Sequence, residues 1–314
     1  MKIILSMAPA IMVLVLPMSS VQVLASSQRY IDVFPNPVLA QSVAEGHQNS
    51  LYSYSGLPLT ANSKIYGGRM TSLSTLEIHG NVASLDGLEQ IPYIYSLRLI
   101  GENNTFTEFA NLTSTNYLYS VEISSYNLSS LASFKFIQEL IISNVSSSML
   151  ETFPLENNNI SALTLIGTDI DSFDFLSNIS GLRRIHTENT PNINDFSSPC
   201  NYASSTSFSL VLKDTGVNNE SGAFNMQSLF TGNITNLSEL TLDGINADFT
   251  GINGQGTAKT VQFLSLTNMD LTNFPNTTVF ERLSALTLTD TNITSFNFLG
   301  SNPRLSGLSI YNAP

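Results

Sequence analysis

Three histidines, one cysteine and a thin scatter of carboxylates are the groups in this 314-residue chain that could do chemistry. His47, His79 and His186 stand far apart, and none belongs to a metal pair such as H-E-x-x-H. No G-x-S-x-G elbow occurs, and Cys200 has no visible histidine partner to activate it. Asp169, Asp171 and Asp174 suggest a calcium loop at first glance, but the loop's Gly and closing Glu are missing and the spacing matches a repeat turn. The run Gly251 to Gly256, GINGQG, has a phosphate loop's glycines without the Lys and the following helix, and reads as a turn. Acid pairs for glycoside hydrolysis can occur in any acidic chain, and the sequence does not exclude them. The expectation is a protein that does no chemistry itself and holds neither cofactor nor metal.

Recognition is the remaining chemistry. Arg184, His186 and Glu188 alternate, so on a strand they project from one face and could anchor an acidic or polar ligand. Lys213 completes this candidate ligand-binding set. Charge elsewhere is sparse, at 11% Asp, Glu, Lys and Arg, with a net charge of −12. Basic residues do not cluster, which argues against nucleic acid and anionic membranes as partners. The charge density is too low for a solvated acidic tail.

The elements that must position these residues are short and repeated. In the stretch from Leu283 to Leu305, LSALTLTDTNITSFNFLGSNPRL, apolar residues fall at Leu283, Leu286, Leu288, Ile293, Phe296 and Leu299. The opening LxxLxL predicts a short strand whose Leu286 and Leu288 share a face. The residues after it must turn the chain back to begin a parallel strand. One such coil cannot cover its own apolar side and needs a neighbour above and below.

Neighbours exist from about residue 73 onward. Clear copies are ISALTLIGTDIDSFDFL from Ile160, VQFLSLTNMDLTNFP from Val261 and LSTLEIHGNVASLDGL from Leu73. Aligning each copy on its second apolar residue gives Leu76, Leu97, Val121, Leu140, Leu163, Ile185, Leu210, Leu240, Leu264, Leu286 and Leu308. The interval from Ile185 to Leu240 is the least regular.

This pattern resembles the leucine-rich repeat family, whose consensus is LxxLxLxxNxL in units of about 20–29 residues. It looks closest to the internalin-like class, with units of about 22 residues. The resemblance covers residues 71–314, about eleven units with the last incomplete. It implies an α/β-type repeat solenoid, a horseshoe or arc with a parallel β-sheet on its concave face. Irregular or short 3-10 segments would line the convex face. It also implies binding of a protein or glycan ligand on the concave sheet.

The family's buried Asn is mostly absent here, and its place is held by Thr168, Thr291, Tyr126, Met269 and Ile245. Thr hydroxyls are expected to satisfy some turning backbone groups; Met and Ile cannot. Outward positions include Glu77, His79, Arg98, Glu122, Glu139, Glu239 and Asp243, with Thr164, Ser265 and Thr287 elsewhere. The expected surface is hydroxyl-rich with one charged patch.

Residues 1–25 read as a signal peptide: Lys2, an apolar run from Ile3 to Met18, then Val23-Leu24-Ala25. The run is short and broken by Pro9 and Pro17, so removal is expected rather than anchoring, and no membrane span is expected after it. Residues 26–70 do not fit the repeat and are read as an N-terminal cap or flanking segment, with a short helix from Val38.

Asn-x-Ser/Thr sequons at Asn103, Asn111, Asn127, Asn159, Asn178, Asn219, Asn233, Asn236, Asn276 and Asn292 point to a secreted or cell-surface glycoprotein. Asn127 and Asn292 are placed in turns after a strand. Asn144, nearer a strand end, is a poorer acceptor. The lone Cys200 can form no internal disulfide, so stacking must hold the fold. Each inward residue contributes roughly 1.5–3 kcal/mol before ordering entropy.

The sequence stops at Pro314 inside another unit, which suggests a fragment of a longer surface receptor or adhesion protein. Two rival functions are a secreted inhibitor of an enzyme and a polysaccharide-acting enzyme on a β-solenoid.

Overall fold

The computed structural model describes residues 28–50, 56–65, 72–80, 82, 84–105, 117–127, 137–150, 160–176, 179, 181–193, 207–215, 224–231, 234–254 and 256–312. Residues 1–25, read from the sequence as a signal peptide, and Cys200 lie outside them.

A one-turn helix α1 (Tyr30–Val33) leads into α2 (Pro37–Ser50), which begins one residue before the helix expected from Val38. Asn36 caps it, its Oδ1 accepting from the N–H groups of Val38 at 2.9 Å and Leu39 at 3.1 Å. The apolar side of α2 (Leu39, Ala40, Val43, Ala44) is buried, and the helix lies against the first strand. Gly46 allows this close approach: a Cβ there would stand 3.0 Å from the Thr75 carbonyl.

The repeats begin with β1 (Ser72–His79), β2 (Tyr93–Thr105), β3 (Tyr117–Asn127) and β4 (Glu139–Ser143). Next come β5 (Ala162–Ile166), β6 (Arg184–Thr190), β7 (Phe208–Thr215) and β8 (Phe224–Asn225). The last are β9 (Leu237–Asp243), β10 (Ala247–Asp248), β11 (Phe263–Thr267), β12 (Ala285–Thr289) and β13 (Gly307–Tyr311).

Eleven of these form one parallel sheet in the order β1-β2-β3-β4-β5-β6-β7-β9-β11-β12-β13. The register pairs Leu76, Leu97, Val121, Leu140, Leu163, Ile185, Leu210, Leu240, Leu264, Leu286 and Leu308 in one row. That is the alignment read from the LxxLxL spacing. The architecture is a repeat solenoid of the leucine-rich-repeat type.

Opposite the sheet run the short 3-10 helices Leu88–Gln90, Asp174–Leu176, Gly256–Thr260, Thr277–Val279 and Asn297–Leu299. The short helices α3 (Ser147–Leu150) and α4 (Met226–Thr231) and the β8–β10 pair complete that side. The 3-10 helix Gly256–Thr260 starts at the last glycine of GINGQG, where the sequence reading expected a turn with no helix after it.

Phenylalanines bind the later coils together. Phe274 meets Phe249 edge-on at 5.2 Å between centroids and Phe298 at 5.6 Å. Phe296, counted as an inward repeat position, is instead 57% exposed, and Leu308 is 42% exposed. No further coil covers that end among the described residues.

Two backbone devices recur. The residue after many strands has positive φ (Asn144, Gly167, Gly244, Asn268, Asp290 and Asn312), as do Asn189 and Asp214, one residue before the ends of β6 and β7. Gly, Asn and Asp tolerate the left-handed conformation best, and it turns the chain out of the sheet.

At the opposite strand end, serines donate to the carbonyl of the preceding coil. Ser161 reaches Gln138 at 3.1 Å, Ser284 reaches Gln262 at 3.0 Å and Ser306 reaches Ser284 at 3.3 Å. The buried hydroxyls of Thr168 and Thr291 find no partner among the described residues. The expectation that they satisfy the turning backbone is therefore corrected: hydroxyl satisfaction sits at the serines, one strand length away.

Candidate functional site

Strand alternation puts every second residue of the sheet on its exposed face. On β6 Ile185, Thr187 and Thr190 are buried, while Arg184, His186 and Glu188 project outward together. On β7, Leu210 and Leu212 are buried and Ser209, Val211 and Lys213 project beside them. The four candidate ligand-binding residues therefore do share one face.

The strands are tied from behind by a buried hydroxyl cluster. Thr215 Oγ1 donates to the Lys213 carbonyl at 3.1 Å. Its proton being spent there, it accepts from Thr187 at 2.8 Å and Thr190 at 2.9 Å.

Within the patch, Lys213 Nζ donates to Glu188 Oε1 at 2.8 Å, while His186 Nε2 stands 3.9 Å from Glu188 Oε2. The hydrogen bond from Lys213 holds the Glu188 carboxyl below its usual range, and Glu188 in turn raises the Lys213 ammonium. Burial pushes the His186 imidazole down, with Glu188 pulling it partly back. At neutral pH the imidazole is mostly neutral. The patch then carries Arg184, a matched Glu188–Lys213 pair and a neutral acceptor or donor at His186.

A second charged group lies on β1 to β3, where the sequence reading expected one patch in all. Arg98 donates to Glu77 at 2.6 Å and to Glu122 at 2.6 Å, and His79 reaches Glu77 at 2.6 Å. These adjacent strands place Glu77, Arg98 and Glu122 in one row, so Arg98 is shared by two carboxylates and the row stays net negative. Ile100, Ile141, Ile166 and Val211 share the exposed face, making it less hydroxyl-rich than expected.

A groove of about 320 Å³ lies at the upstream end of β3 to β7. Arg184 lines it together with Arg183, Glu139 and Tyr119. Tyr119 stacks on Tyr95, with centroids 4.8 Å apart and planes 5° from parallel. The sequence reading missed Arg183, Tyr95 and Tyr119. Arg183 precedes the strand pattern, so alternation along β6 does not place it on the face. The tyrosines were legible as paired aromatics one repeat apart.

Besides the poorer acceptor Asn144, which is exposed, three sequon asparagines have described side chains. Asn276 is exposed, and its Oδ1 accepts from the Thr278 N–H at 3.0 Å. Asn292 is a rung between coils: its amide donates to Asp270 at 2.6 Å and Thr272 at 3.3 Å, and its Oδ1 accepts from the Leu271 N–H at 2.8 Å. Both amide hydrogens are engaged, so a glycan on Asn292 must displace one. Asn236 is half-buried.

Asn127 closes β3 rather than lying in a turn after it, and Asn103 lies within β2. Asn111, Asn159, Asn178, Asn219 and Asn233 lie outside the described residues. Among the described residues no three His, Cys, Asp or Glu converge as a metal site. Asp169, from the calcium-like run, instead accepts the Ser147 N–H of the preceding coil. No described helix is long and apolar enough to cross a membrane.

No family model matches the chain, and no curated protein matches it. Among solved structures it is similar to the functional domain of InlJ from Listeria monocytogenes, described as including a cysteine ladder. Identity is 12%, covering 88% of this chain and 80% of that one, with a TM-score of 0.30. A likeness at that level carries no argument here, and the solenoid rests on the strand register above.

Proposed function

We propose that this is a non-catalytic binding protein acting outside the cell, which holds a protein or glycan partner against the exposed face of its sheet. The observation that carries this reading is the single register row across eleven parallel strands. It leaves one continuous face on which Arg184, His186, Glu188 and Lys213 converge. Rigid strands present these side chains with little conformational freedom left to lose on binding. Arg184 has no ion-pair partner among the described residues, and His186 stands a full 3.9 Å from Glu188, so Arg184 is the first anchor and His186 the second.

The absence of catalysis belongs to the same proposal. His47 is buried against Tyr30, while His79 and His186 stand on an open strand surface. An open surface excludes little water, and catalytic sites usually need enclosure. The extracellular placement is supported by the signal-like residues 1–25 and the density of sequons.

The test is affinity capture with the secreted, glycosylated protein, comparing wild type with Arg184→Ala/His186→Ala. A partner retained by wild type and lost by the double variant is the expected result. Equal recovery by both would remove the patch from the binding role.

A further inference from the structure

Arg183 and Arg184 are neighbours in sequence and would face opposite ways in a regular strand. Here the N–H groups of both donate to the Ser161 carbonyl, at 2.8 and 3.0 Å. Arg183 is the residue just before β6, and the same shared carbonyl recurs at the entry of β5, β12 and β13. Both arginines are exposed and line the groove at the upstream end of the sheet. Neither meets a carboxylate within ion-pair distance among the described residues, although the chain carries a net charge of −12. On the same face, Arg98 and Lys213 are each matched by glutamates.

The groove exists because its floor is small. Glu139, Ala162 and Arg184 occupy one register row of β4, β5 and β6. The acid and the base therefore stand two strand spacings apart, roughly 9–10 Å. The Ala162 methyl between them leaves the gap open. Ser209, the neighbour of Arg184 on β7, is also small and is drawn away to Glu239 at 2.7 Å. The volume of about 320 Å³ lies at the small end of ligand pockets.

The lining selects a ligand class. A guanidinium pair receives a carboxylate by parallel hydrogen bonds. Tyr119, held flat by Tyr95, offers a ring face to a partly apolar surface and a hydroxyl to a polar one. Glu139 and the Gln138 amide face the arginines as acceptors and donor for hydroxyl groups. A sugar ring has all three features: an apolar C–H face, a rim of hydroxyls and, in acidic sugars, one carboxylate. A polyanion is disfavoured by Glu139, Glu239 and the net charge of the chain.

We propose that this groove binds an oligosaccharide carrying an isolated carboxylated sugar, a sialic or uronic acid. Arg183 and Arg184 hold its carboxylate, Tyr119 stacks on its ring, and Glu139 accepts from its hydroxyls. This deepens the binding reading above and rests on it, naming the ligand class for the Arg184 end of the face.

The test is calorimetric titration of the purified chain with sialyllactose, with lactose, with a glucuronate-terminated disaccharide and with acetate. Saturable binding of one acidic saccharide, at least about tenfold tighter than lactose and acetate, is expected. Arg183→Ala, Arg184→Lys and Tyr119→Ala should each weaken it about tenfold or more, and Arg304→Ala should leave it unchanged. Unchanged circular dichroism and Tm in each variant confirm that folding is intact.

Equal affinity for acetate would leave a bare anion site and overturn the proposal, as would equal affinity for lactose. No saccharide binding, with a protein partner still lost in Arg184→Ala/His186→Ala, overturns this inference and leaves the binding reading standing. Loss of neither partner nor saccharide in the variants overturns both.

Discussion

Lys213 on β7 donates to Glu188 on β6 at 2.8 Å, one strand spacing away and in register. Both side chains are partly exposed, so solvent screens the pair and its contribution to stability is small. Lys213→Ala and Glu188→Gln should each move Tm by no more than about 2 °C, measured by thermal denaturation. Glu188 has a folded value below its ordinary one, so its contribution is present at neutral pH and is lost as pH falls through that folded value. Glu188→Gln should therefore flatten the acid limb slightly. A Tm drop several times larger would mean the pair does more than order the face.

Asp290 follows β12 with φ +49°, the left-handed position repeated after many strands. Asp290→Gly should change stability by no more than about 0.5 kcal/mol, because glycine adopts this conformation freely. Asp290→Val should lose about 1–2 kcal/mol or more, because a β-branched residue resists it. Chemical denaturation of the two variants checks the contrast. Equal stability would show that the turn is not strained by its side chain. Gly244 stands in the same place, and a Cβ there would collide with the Asp214 carboxylate of the preceding coil.

Thr168 is buried with a hydroxyl that meets no partner among the described residues. A buried hydroxyl without a partner is destabilising relative to a methyl of the same shape. Thr168→Val should stabilise the chain by about 1 kcal/mol, and Thr291→Val likewise. A loss of similar size in urea titration would show that the hydroxyl is bonded after all.

His47 is buried on α2 with its Nδ1 against the Tyr30 hydroxyl, and burial pushes its imidazole below the ordinary value. The unfolded chain then takes up the proton first. Stability from this group is full above about pH 6.5, the ordinary imidazole value, and is lost as pH falls through the folded value. Tm measured against pH should decline below about pH 6.5 in wild type, and His47→Gln should reduce that decline. Tyr30→Phe should cost about 1 kcal/mol at neutral pH by removing the hydroxyl partner. An unchanged acid limb in His47→Gln would assign it to other groups.

Period and residue type alone determined the solenoid. LxxLxL recurs in phase, and one coil cannot bury Leu286 and Leu288 without neighbours, so a parallel stack with one register row was the consistent outcome. The helix near Val38 and the outward set Arg184, His186 and Glu188 followed from the same periodicities of 3.6 and 2.

What the tertiary structure decided lies where those periodicities break or where distant residues meet. Arg183 reaches the groove from just before β6, where its N–H and that of Arg184 share the Ser161 carbonyl of the preceding coil. Asn292 ties two coils together, and the Thr168 hydroxyl is left unmatched, because neither partner choice is encoded locally. Tyr95 stacks on Tyr119 because two coils align in space, a relation between strands that no single stretch of chain contains.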